Sequence, residues 1–177
     1  NDGYLLALHH HRLGFKIFYL YNSRSDEFPT FLGFFMKNTT KYLTVFFSGR
    51  NHGKKGIEFN RGNISKNFIC DVITRNCNGK SRTIFITDSI TGGSAFDIDK
   101  CSNVISLSVK KNRSSDFKEF KRSHGIFTYY LCKLINEYPK ITPKGLTERM
   151  NISLHRFNAR LRCDISNEGL DESPIFE

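Results

Sequence analysis

Thr83-Ile84-Phe85-Ile86-Thr87-Asp88-Ser89-Ile90-Thr91-Gly92-Gly93-Ser94-Ala95 is the stretch whose reading decides the fold. Ile84, Phe85 and Ile86 form a short β-prone apolar run, the mark of a strand buried on both faces. The run then breaks into Asp88-Ser89, a threonine and two glycines. A buried parallel strand that ends this way carries its polar residues to the carboxyl edge of a sheet, where open α/β folds place their sites.

Outward from this strand, helix and strand patterns alternate. Tyr4 to Leu13 reads as a helix that Asp2 can cap and Gly14 stops. Phe15 to Tyr21 is β-prone and reads as a strand. Asp26 or Ser25 opens a helix over Phe28 to Lys37, with Pro29 in its first turn and Phe28, Phe31, Leu32 and Phe35 on its buried face. Tyr42 to Phe47 is a core strand ending at Ser48-Gly49. Residues 50 to 63 read as a basic loop and a short hairpin. Ser65 caps a helix through Asn76 that buries Phe68, Ile69, Val72 and Ile73. Val104 to Val109 is a further strand, followed by a polar loop over residues 110 to 123. Gly125 to Tyr138 and Pro143 to Phe157 are helices. The tail from Leu161 reads as irregular, with an edge strand near Pro174 to Phe176. This alternation predicts a three-layer α/β/α sandwich around a mostly parallel sheet, in one domain spanning residues 1–177.

The 177 residues suffice for one core. A net charge of +10 admits nucleic acid as a partner, but no basic run is long and the basic loop lacks interleaved aromatics. Five cysteines without CxxC spacing fit a reducing compartment, hence the cytoplasm, rather than a disulfide framework. No apolar run approaches the roughly 20 residues that span a bilayer, so no membrane partner is expected. His9, His10 and His11 fall on three faces of a helix, a poor arrangement for a metal.

The chain resembles caspase-like cysteine peptidases, and metacaspases in particular, along nearly its whole length. Asn1-Asp2 with Leu13-Gly14-Phe15, the Val45-to-Gly49 strand end, the Gly56-to-Ser65 hairpin, Ser114-Ser115-Asp116 and His124-to-Leu131 are similar to the family's segments and follow in its order. The resemblance implies a sheet of order 2-1-3-4-5-6 with the last strand antiparallel. It divides the chain into a large-subunit-like region, 1–101, and a small-subunit-like region, 102–177. The family's first strand, an interior one, has no counterpart here. Either it lies outside the sequence, or the strands over Phe15 to Tyr21 and Tyr42 to Phe47 must close the gap.

The resemblance also locates what is missing. The family pattern after the organising strand is Asp-(Ser/Ala)-Cys-His-Ser-Gly, and this chain has Ile90 in the cysteine position. A caspase-type peptidase needs a thiolate nucleophile, a histidine to manage the leaving-group proton and backbone donors for the oxyanion. Isoleucine has no lone pair. Arg50 is the ungapped match to the histidine and stays protonated; His52 takes the position if two residues are inserted. Asp88, Ser89 and Asp116 match substrate-pocket positions. Ser89 sits in no Gly-x-Ser-x-Gly elbow.

The expectation is therefore a catalytically inactive caspase-like domain that binds a protein or peptide, an active caspase-like relative among the candidates, with no cofactor. Two alternatives stand beside it: a cysteine endopeptidase cleaving after Arg or Lys with Cys101 and His52, and a basic nucleic-acid-binding domain.

Overall fold

The computed structural model describes residues 2–50, 52, 56–89, 96, 98, 100–111 and 125–176. The elements run α1 (Asp2–Arg12), α2 (Glu27–Asn38), β1 (Tyr42–Gly49), β2 (Ile57–Phe59), β3 (Gly62–Ile64), α3 (Lys66–Asn76), β4 (Arg82–Ser89), β5 (Val104–Lys111), α4 (Ile126–Glu137), α5 (Pro143–Leu154), a 3-10 turn over His155–Phe157, and β6 (Ala159–Ile165). The main sheet has the order β1-β4-β5-β6, with β2 and β3 forming a separate antiparallel hairpin. β1, β4 and β5 are parallel, and β6 is antiparallel to β5.

The pleat sorts the core into two halves. Ile84 and Ile86 of β4, with Ile105, Leu107 and Val109 of β5, pack beneath α1, α4 and α5. Phe85 and Val104 face α2 and α3, together with Phe96, Ile98 and Cys101. Helices on both faces make this the three-layer α/β/α sandwich that the alternating pattern predicts. Among the described residues, no helix is long and apolar enough to cross a membrane.

Local chemistry explains most boundaries. Ser65 Oγ accepts from Phe68 N to cap α3, and Thr142 Oγ1 accepts from Gly145 N ahead of Pro143, the first residue of α5. Gly56 has φ +86°, and a Cβ there would lie 1.8 Å from the Ile64 carbonyl oxygen, so only glycine closes the hairpin.

Four expectations are corrected. The tail contains a full strand, β6, whose alternation of Ala159, Leu161 and Cys163 with Arg160 and Arg162 is the period-two pattern of an edge. Pro174 to Phe176 is not a strand. Ile175 and Phe176 are core residues there, and Arg82 holds the segment by donating to the carbonyls of Pro174 and Leu170. Phe68 is exposed rather than buried.

The fourth correction matters most. Phe15 to Tyr21 belongs to no strand. It starts beside Tyr42, with the Phe15 and Tyr42 rings 6.5 Å apart, and it ends where Ser23 O accepts from Asn60 N in the hairpin beyond β1. It therefore runs alongside β1 and in the same direction, but does not pair with it. A cavity of about 1060 Å³ separates the two, so the gap stays open.

Candidate functional site

β1 and β4 end together. Their register pairs Ser48 with Asp88 and Gly49 with Ser89, so the two turns expected at one edge of the sheet are neighbours there. Ser89 is buried and Asp88 half-buried. Ile90 and Asp116 lie outside the described residues.

Asp88 is turned toward α4. Thr128 Oγ1 donates to Asp88 Oδ2 at 2.6 Å, and Gly125 N, at the helix N-cap, donates to Asp2 Oδ1 at 2.5 Å. Two carboxylates thus converge on the positive end of α4, where the helix dipole and the unsatisfied N–H groups favour negative charge. Glycine at 125 permits the approach: a Cβ would lie 2.6 Å from Asp88 Oδ2 and 3.0 Å from Asp2 Oδ2. The arrangement orients the β4 end against α4 and α1. Asp2, expected as a cap for its own helix, serves this junction instead.

His52 stands three residues beyond Gly49, on the same edge. Its Nε2 donates to Glu58 Oε2 at 2.7 Å, and its main-chain N donates to Gly56 O at 2.8 Å. Arg50 Nη1 lies 3.9 Å from the same Glu58 oxygen. The His52 hydrogen bond, followed by the Arg50 charge, holds the Glu58 carboxyl below its ordinary range. All three side chains are exposed. Glu58 was not anticipated from sequence; its place in a hairpin that folds back toward β1 was the available signal.

A histidine held by a carboxylate can accept a proton, yet it needs a nucleophile beside it. The chain offers five thiols, all described and none in a disulfide. Cys101 precedes β5 and therefore sits at the amino edge of the parallel sheet, since Val104 shares its level with Thr83 and not with Ser89. Roughly 20 Å of strand separates that edge from Gly49. Cys101 and His52 are not brought together. Burial first, then Cys77, pushes the Cys101 thiol up to about 12. Burial also raises Cys132 to about 12 and Cys163 to about 11. Cys70 lies within α3, and Cys77 Sγ, at its end, donates to Ser102 O. For Cys101, Cys132 and Cys163 this is the opposite of the electropositive, accessible environment that activates a thiol.

His9 and His10 are buried, while His11 is exposed. His10 engages the Leu6 carbonyl through Nδ1 and Thr44 Oγ1 through Nε2, tying α1 to β1. No group of metal-ligating side chains occurs among the described residues. No protein-family model matches the chain, and no curated protein matches it.

Proposed function

We propose that this chain is a caspase-like domain, similar to metacaspases, that lacks peptidase chemistry and works as a binding or regulatory module for a protein or peptide partner. Support for the family part is the order of the similar segments, together with a sheet whose parallel strands are closed by an antiparallel last one. The observation that carries the functional part is the carboxyl edge itself. His52 and Asp88 stand there, while Cys101 stands at the opposite edge and Cys70, Cys132 and Cys163 lie within α3, α4 and β6 rather than in the turns that follow β1 and β4. Sequence adds that the residues directly following Ser89 contain no cysteine.

The test is incubation of the folded protein with an arginine-based, thiol-directed covalent probe, with and without calcium, read by intact mass. The proposal predicts no adduct in either condition. Stoichiometric labelling of one cysteine, abolished by changing His52, would replace it with an active cysteine peptidase.

A further inference from the structure

The amino ends of the parallel strands, opposite the edge described above, gather positive charge. Tyr42 of β1 and Arg82 of β4 are register partners there, and Arg82 N donates to Lys41 O at 2.7 Å. Asn103, directly before β5, accepts from Thr83 N through its carbonyl at 3.0 Å. Asn78 holds the turn into β4: its Oδ1 accepts from Lys80 N and Ser81 N, and its Nδ2 donates to the Met36 and Thr39 carbonyls. Lys41, Lys80, Arg82 and Asn103 are thus carried on main chain that the sheet and its turns fix in place.

A cavity of about 520 Å³ opens among these residues, with Leu170 and Ser173 of the tail in its wall. That wall contains three cations and no acid. Among the described residues, Lys41, Lys80 and Arg82 form no ion pair. Asp171 and Glu172, the acids that follow Leu170, stand outside the wall and pair with none of the three.

Arg82 is the decisive member. It is only 8% exposed, and burying a guanidinium is costly unless a counter-charge meets it. Its Nη atoms donate to the Pro174 and Leu170 carbonyls, while its Nε is buried without an acceptor. Carbonyls satisfy hydrogen bonds but do not balance the charge. Lys41 and Lys80 are exposed, and the Asn103 side-chain amide has no partner among the described residues, so further donors stand unused around the same space.

We propose that this cavity binds a polyphosphate group, free or carried by a nucleotide, with Lys41, Lys80 and Arg82 balancing its charge and Asn103 donating to one of its oxygens. Three cations demand an anion of several charges; a monocarboxylate would leave two of them unmatched. Phosphate oxygens accept from guanidinium, ammonium and amide donors alike. A cleft walled by one sign of charge concentrates such an anion, and its volume lies within the range of small-molecule sites. The site stands at the other end of the strands from His52 and Asp88, so its failure would leave the reading of the carboxyl edge untouched.

The probe is inorganic pyrophosphate, titrated into the full chain by calorimetry at fixed ionic strength, with amide chemical shifts followed in parallel. Saturable binding at a single site is expected, with shifts confined to residues 41–42, 80–83, 103–104 and 170–173. Lys41→Gln combined with Lys80→Gln should weaken binding at least roughly tenfold, with circular dichroism unchanged because both side chains are exposed. Asn103→Gly keeps the backbone free to hold φ +60° and removes the amide, and it should weaken binding as well. Lys144→Gln removes an exposed charge from α5, outside the cavity, and should leave the affinity as it was. Tighter binding of adenosine diphosphate with the same shifts would support a nucleotide as the source; binding of pyrophosphate alone would support free polyphosphate. An equal loss in Lys144→Gln, or shifts scattered over the basic surface, would overturn the proposal in favour of unspecific charge attraction. Absence of saturable binding up to millimolar pyrophosphate would overturn it outright.

Discussion

Gly49 and Ser89 are register partners at the ends of two parallel strands, so the chain leaves the sheet beside His52 on one side and directly into Ile90 on the other. That adjacency defines what each substitution at this edge can achieve.

Ile90→Cys should supply a thiol without producing a peptidase. His52 Nε2 is committed to Glu58, and Arg50, the residue directly after the strand, cannot act as a base. Hydrolysis of arginyl and lysyl peptide substrates by this variant should stay at the level of the unchanged chain. Removal of residues 50 and 51 in the same variant brings His52 directly after Gly49, and it is the combination in which activity is worth assaying. Cleavage by Ile90→Cys alone would mean that His52 is already placed to serve a thiol.

The native thiols should be sluggish. Cys101 and Cys132 are buried with their acidity displaced to about 12, so little thiolate exists at pH 8. Alkylation of both in the folded protein should be at least roughly a hundredfold slower than in denaturant. A fast-reacting Cys101 under native conditions would reopen its candidacy as a nucleophile.

Stability should fall on mild acidification. Burial lowers the His10 pKa to about 4, helped by the neighbouring His9 and opposed by the Leu6 carbonyl. Between about pH 6.5 and 4 the unfolded chain binds a proton at this position that the folded chain refuses, so stability rises with pH across that window. The loss on acidification through the window is on the order of 3 kcal/mol, and it levels off below pH 4. Urea titrations at half-unit pH intervals measure it. His10→Gln should flatten most of this slope; an unchanged slope would place the acid sensitivity elsewhere.

The junction at the start of α4 should be intolerant. Gly125→Ala puts a methyl group 2.6 Å from Asp88 Oδ2, which forces the carboxylate from its Thr128 partner. A loss of about 1–3 kcal/mol is expected for this variant, and a similar loss for Thr128→Val, by chemical denaturation. If both are neutral, Asp88 is not held by α4.

Much of the sheet could be read directly from the chain, because Thr83 to Ile86 and Val104 to Val109 are buried on both faces and betray themselves as apolar runs, and Tyr42 to Phe47, though only partly buried up to Phe46, has the same apolar composition. The misreadings have separate physical causes. Phe15 to Tyr21 has strand composition, yet a strand exists only through a partner, and the partner's absence is not written in the segment itself. β6 was obscured because its arginines and Asp164 look like loop residues unless the alternation with Ala159, Leu161 and Cys163 is counted. At the site, the adjacency of Ser48–Gly49 with Asp88–Ser89 followed from two parallel strands of equal length ending in like chemistry. The engagement of His52 by Glu58, and of Asp2 by Gly125, depends on a hairpin and a helix junction whose geometry no local pattern encodes.

Among the described residues, the carboxyl edge of this sheet holds a histidine and an aspartate but no cysteine, and the sequence that follows Ser89 supplies none before Cys101. The most direct test of this reading is digestion of an arginine- and lysine-rich peptide library by the purified chain, with and without calcium, with products identified by mass spectrometry. The products should be the same peptides as in the protein-free control. Cleavage after arginine or lysine that disappears on substitution of a single cysteine, or of His52, would contradict it.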